Sequence, residues 1–137
     1  MTDQEFAEMF WREYNEDDMQ KTAQANDSTN CQAAVLVDNL VNSAPQRAFE
    51  LLVTIIDSCK DNDGLAYIAA GPLENLFVYH GYEIINTVME KADENEKLQL
   101  ALSGVWLDEQ DDAIFPHWLE LMKRYNFVGD NPRPTLA

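Results

Sequence analysis

Basic residues are few in this sequence for its size. Nine Lys and Arg stand against 25 Asp and Glu, a formal net charge of −16. Binding nucleic acid requires clustered Lys and Arg to neutralise phosphates, and the chain has no such cluster, which excludes direct nucleic-acid binding. An anionic membrane surface is disfavoured for the same reason. Histidine is scarcer still. His80 and His117 are the two present, and no nucleophile motif accompanies them, so hydrolase chemistry is a poor expectation. The two cysteines, Cys31 and Cys59, both sit in apolar helical patterns without closely spaced Cys or His partners. That argues against a zinc site and for reduced, buried thiols rather than a disulfide. No apolar run is long enough to span a membrane, and the opening "MTDQEFAEMF" is an amphipathic acidic segment rather than a basic stretch followed by an apolar one. The expectation is a soluble cytoplasmic protein that uses no metal or cofactor.

What is present is helical periodicity. Hydrophobic residues make up 46% of 137 residues, enough for one domain with its own core. Thr2 and Glu5 spell a capping box, and Phe6, Met9, Phe10 and Tyr14 then share one helix face. That helix extends toward Ala25 or breaks earlier, with "NDST" as the better break. A second helix is predicted over residues 29 to 42, with Ala33, Val37, Leu40 and Val41 inward. Pro45 starts a third, capped by Ser43 or Ala44, and Phe49, Leu52, Val53 and Ile56 form its buried face. "KDNDG" ends it, because Asn, Asp and Gly favour turns.

Leu65, Ile68, Ala69, Pro72, Leu73, Leu76, Phe77 and His80 then form a single apolar stripe. Because the residue before a proline is pushed out of the helical region, a stop is expected near Ala70, with Pro72 starting a new helix that Gly81 caps. Further helices are predicted over 82 to 92, 95 to 107, and from Phe115 or Pro116 onward, the last carrying Trp118, Leu119, Met122 and Tyr125. No strand alternation stands out. The expected fold is all-α: antiparallel helical pairs in an irregular bundle or a short α-solenoid-like array of about six to eight helices. One domain covers residues 1–128, and 129–137 form an irregular proline-containing tail.

Candidate chemistry is thin. "AAGPLE" lacks the second glycine, the lysine and the Ser/Thr of a phosphate loop, and Glu74 brings negative charge to the expected helix start. Glu74 more simply caps its own helix, and His80 before Gly81 suits a helix C-terminus. "CKDNDG" fails as a calcium loop, since Cys59 and Ala70 would occupy its first and twelfth positions. Trp11, Trp106 and Trp118 are core candidates, and whichever is left exposed beside acidic residues becomes an interface anchor.

The stretch "AYIAAGPLENLFVYHG", residues 66 to 81, resembles the signature of a bacterial family of unknown function. That family is marked by an alanine-rich segment, then Gly-Pro-Leu-Glu-Asp/Asn-Leu, then His-Gly. The helix of Pro45, Phe49 and Leu52 and the segment "LALSGVW" are also similar, so the resemblance covers roughly residues 40 to 107. Asn75 stands where Asp is common and Phe77 where Leu is common. The resemblance implies a small helical domain in which Gly71, Pro72, Glu74, His80 and Gly81 form a structural motif, and it carries over no catalytic residue.

The leading functional expectation is an acidic protein-binding protein. Its most specific form is an immunity protein that neutralises a basic, nuclease-like bacterial toxin domain by direct contact, because a large negative field steers encounter with a basic partner. Two acidic groups are the expected contacts: Glu13, Glu16, Asp17 and Asp18, and the loop of Asp108, Glu109, Asp111 and Asp112. The alternatives are a nucleic-acid-mimicking inhibitor of a host or phage defence protein, a small-ligand or enzymatic domain using Glu74 and His80, and an adaptor whose acidity serves only solubility.

Overall fold

In a computed structural model, which describes residues 2–20, 32–125 and 127, the chain enters its first helix through the expected capping box. Glu5 N donates to Thr2 Oγ1 at 3.1 Å, and Thr2 N donates to Glu5 Oε1 at 3.2 Å. Two N–H groups that the first turn leaves without helical partners are thereby satisfied. The helix that follows, α1 (Asp3–Gln20), buries Ala7 and Phe10. Trp11 donates its indole N–H to the Ile55 carbonyl at 2.8 Å.

Helix α2 (Gln32–Ser43) buries Ala33, Val37 and Val41. Helix α3 (Pro45–Asp57) begins with Pro45 at its first turn, after an Ala44 that makes no side-chain cap. Its buried residues include all four of the predicted inward positions, Phe49, Leu52, Val53 and Ile56, and also Ala48, Leu51 and Ile55. An apolar surface this wide suits a central helix, and α3 packs against both α1 and α2. Asp61 then caps the short α4 (Asn62–Ile68), its Oδ1 accepting from Gly64 N at 2.6 Å. The "KDNDG" turn is thus a helix cap.

The expected stop at Ala70 does not occur. Residues Ala69–Leu73 form one π-helical turn that leads straight into α5 (Glu74–Ala92). Backbone angles stay helical on both sides, −63°/−46° at Ala69 and −60°/−43° at Glu74. The wider turn accommodates Pro72, which lacks an N–H and would clash with a carbonyl in an α-helix. Through this segment the predicted stripe holds: Ile68, Leu73, Leu76 and Phe77 are each 0% exposed. Burial of a side chain of this size contributes about 1.5–3 kcal/mol.

The break expected at His80–Gly81 is present as a kink that joins two helical stretches within α5. His80 has φ −137° and ψ 24°, and the helix resumes at once. His80 thus stands at the junction of the two stretches, and Gly81 follows it into the second. Helix α6 (Glu96–Ser103) starts from Asn95, whose Oδ1 accepts from Leu98 N at 3.0 Å. It ends earlier than expected, so Val105, Trp106 and Leu107 lie outside it. Helix α7 (Phe115–Arg124) buries Trp118, Leu121 and Met122. At its end, Arg124 forks Asp93 at 2.8 and 2.7 Å, and the Tyr125 hydroxyl donates to the same carboxylate at 2.8 Å.

The protein is all-α, with no strand among the described residues. α3 packs also on α5 and α6, so the elements surround one core built on α3 and the α4–α5 segment. No described helix is long and apolar enough to cross a membrane. Cys31 and the tail at 129–137 lie outside the described residues.

Candidate interaction surface

The segment between α6 and α7 is fastened along the outer side of α5. At one end Glu74, the first residue of α5, accepts from Trp106 N through Oε1 at 3.2 Å. At the other, the Tyr82 hydroxyl donates to the Ala113 carbonyl at 2.9 Å. Val105 and Ile114 bracket the segment as buried residues, 1% and 2% exposed. From Glu74 to Tyr82 the helix advances about 12 Å, the length along which the loop is strapped. Glu74 was expected to cap its own helix. It instead holds the chain after α6, because the π turn leaves no separate helix start to cap.

Within the loop, four carboxylates divide into two kinds. Asp108 Oδ1 accepts from Gln110 N at 2.7 Å and from Asp111 N at 2.9 Å, and Asp112 Oδ2 accepts from Asp108 N at 2.6 Å. Asp108 and Asp112 thus shape the loop by folding side chain onto backbone. Glu109 and Asp111 are exposed on it.

Along the chain, the charge on either side of this loop is of one sign up to Lys123 and Arg124. Residues 74–90 and 98–122 contain no Lys or Arg, but carry eight acids: Glu74, Glu83, Glu90, Asp108, Glu109, Asp111, Asp112 and Glu120. Summed fields of this kind act over about a Debye length, near 8 Å at physiological salt.

The three tryptophans separate. Trp11 is half-buried and bonded to α3, and Trp118 is 7% exposed with no acceptor for its indole N–H among the described residues. Trp106 is 75% exposed, at the root of the acidic loop. Val78, Tyr79 and Tyr82 on α5 are exposed as well. Sequence reading passed over these three, although the stripe of buried positions already left 78, 79 and 82 facing outward.

The other predicted contacts have different neighbours. Glu13 accepts from Ala33 N through Oε2 at 2.8 Å, so it caps the start of α2 across 20 residues of chain. Glu16, Asp17 and Asp18 continue α1, and their side chains lie outside the described residues. The structure therefore places Glu13 against α2 and the 108–112 loop beside α5, with no bond between the two groups among the described residues.

Glu74 and His80 do not form a pair. Glu74 serves Trp106 N, whereas His80 Nδ1 stands 3.6 Å from Glu83 Oε1 on its own helix. Of the remaining motif residues, Pro72 is buried in the π turn, and a Cβ on Gly71 would meet nothing within 4 Å apart from its chain neighbours and the backbone of its own helical turn. Gly81 is different, since a Cβ there would fall 2.5 Å from Ile114 Cγ1.

A cleft of ≈ 620 Å³ opens between α1 and the α3–α4 turn, lined by Arg12, Lys60 and Lys97 together with Glu8, Asp57 and Asp61. Its cations are partly engaged, for Lys97 Nζ donates to the Asp57 and Cys59 carbonyls at 3.0 and 2.6 Å. Burial pushes the Cys59 thiol above its ordinary range, which keeps it protonated and a poor nucleophile. No group of three or more His, Cys, Asp or Glu able to hold a metal ion occurs among the described residues.

No curated protein and no solved structure matches the chain. One family model does match, over residues 19–123, a span that takes in α2 to α6, the acidic loop and most of α7. By that match the chain belongs to a family of unknown function, DUF6869.

Proposed function

We propose that this protein acts by binding a basic protein, and in its most specific form is a cytoplasmic bacterial immunity protein that neutralises a nuclease-like toxin domain by direct contact. The observation that carries the reading is the strapped loop of residues 108–112, with four acids in five positions and no Lys or Arg anywhere in residues 98–122. A domain that cleaves nucleic acid needs a cationic cleft to hold phosphates. A preformed surface of carboxylates competes for that cleft and blocks it. It also speeds encounter, by a factor of about 10 to 1,000 for well-steered pairs. Because Asp108 and Asp112 hold the loop in shape, little ordering entropy is left to lose on binding.

The test is affinity purification from the native host, followed by binding measurements on the purified pair. The expected result is a basic partner, encoded beside this gene, whose association slows as salt rises and whose activity is lost in the complex. Recovery of no basic protein, or of a complex indifferent to salt, would overturn the reading.

A further inference from the structure

Trp106 is the least economical feature of this surface. Leaving an indole 75% exposed forgoes its burial, and the residue is not on a loose end: its own backbone N–H is bonded to Glu74. The ring therefore projects from a fixed station beside a carboxylate, one oxygen of which serves the Trp106 backbone. Carboxylates follow within six residues, at Asp108, Glu109, Asp111 and Asp112, and no Lys or Arg lies in either flanking segment. An exposed indole face in a negative field attracts a cation. Of the two side-chain cations, guanidinium is planar, stacks on indole and forks a carboxylate, whereas ammonium is a compact, strongly hydrated point charge.

Resting on the basic-partner reading above, we infer that Trp106 is the anchor of the interface and that its occupant is an arginine side chain of the partner, stacked on the indole and held by the neighbouring carboxylates. Lysine satisfies the field but not the stack. The surface thus selects arginine-rich segments over lysine-rich ones of equal charge. The exposed side chains of Val78, Tyr79 and Tyr82, one to two turns along α5, give the aliphatic stem of such a segment an apolar bed.

The experiment uses two short peptides of equal length and charge, one arginine-rich and one lysine-rich, titrated calorimetrically into the full chain at low salt. The arginine peptide is expected to bind more tightly. W106A should weaken it about two- to fivefold, the range of an exposed cation–π contact, and bring the two peptides level. W106F should keep part of the preference. W106A retains the backbone bond to Glu74, and its circular dichroism melt checks that it folds. If both peptides bind wild type and W106A changes neither, or weakens both equally, the arginine anchor is overturned while the basic-partner reading stands. If neither peptide binds wild type, both fall together.

Discussion

A Cβ on Gly81 would lie 2.5 Å from Cγ1 and 2.7 Å from Cβ of Ile114. Helix α5 therefore passes directly beneath the residue that opens α7, one position beyond the His80 kink. The strapped acidic loop closes at this contact. Its position depends on a missing side chain as much as on any bond.

Gly81→Ala should destabilise the protein by about 1–3 kcal/mol, the cost of overpacking a filled site. The obstacle is one side chain, so Ile114→Ala in the same chain should recover part of the loss. Urea denaturation of the two single variants and the double variant measures this. Losses that simply add would show that Ile114 is not the obstacle.

Gly71→Ala should cost less, about 1 kcal/mol, and for a different reason. Apart from its chain neighbours and the backbone of its own helical turn, nothing stands within 4 Å of a Cβ there. The penalty is local, from a side chain placed before Pro72 in a helical turn. Pro72→Ala should abolish that penalty and should leave the cost of Gly81→Ala unchanged. The same denaturation series distinguishes the two glycines.

The loop carboxylates should separate by role. Asp108→Asn should loosen the loop at a cost of about 0.5–1.5 kcal/mol, since the backbone N–H groups of residues 110 and 111 lose a charged acceptor. Reversing Glu109 and Asp111 to Lys should leave stability within about 0.5 kcal/mol of wild type, yet slow association with the arginine-rich peptide. Melting curves and stopped-flow association rates read the two effects independently. Glu74→Ala should speed hydrogen exchange at the Trp106 amide, which has its bond to that carboxylate.

Stability should fall at both pH extremes through Asp93 and Tyr125. Hydrogen bonds from Arg124 and then Tyr125 hold the Asp93 carboxyl below its ordinary value of 3.8. A lowered carboxyl stabilises the fold above pH 3.8, and that contribution is lost as pH falls through its folded value. Tyr125 is shifted the other way, pushed up from 10.0 to about 12 by burial and then by its bond to Asp93. Its contribution is complete below pH 10.0 and lost as pH rises toward about 12. Asp93→Asn should flatten the acid limb and part of the alkaline limb of a Tm-versus-pH curve, whereas Tyr125→Phe should remove its part of the alkaline limb. An unchanged acid limb in Asp93→Asn would contradict this assignment.

Features set within a turn or two of chain were legible from the residues alone. The Thr2–Glu5 capping box, Pro45 at a helix start, and the stripe from Leu65 to Phe77 all appear in the structure. Each depends on short-range spacing or on a conformational preference. The π turn escaped because proline signals a break, and only packing on both sides makes a widened helix preferable to a stop. The acceptor roles of Glu13 and Glu74 were not legible for a related reason: their donors lie 20 and 32 residues away.

The sequence by itself determined an all-α chain, its buried stripe and a surface poor in cations, since periodicity and charge are properties of the residues. Only the tertiary structure decided which tryptophan faces solvent, which loop carboxylates are engaged by backbone, and why Gly81 has no side chain. Those outcomes turn on where α5, the loop and α7 meet, and that meeting is fixed by packing among residues far apart in the chain.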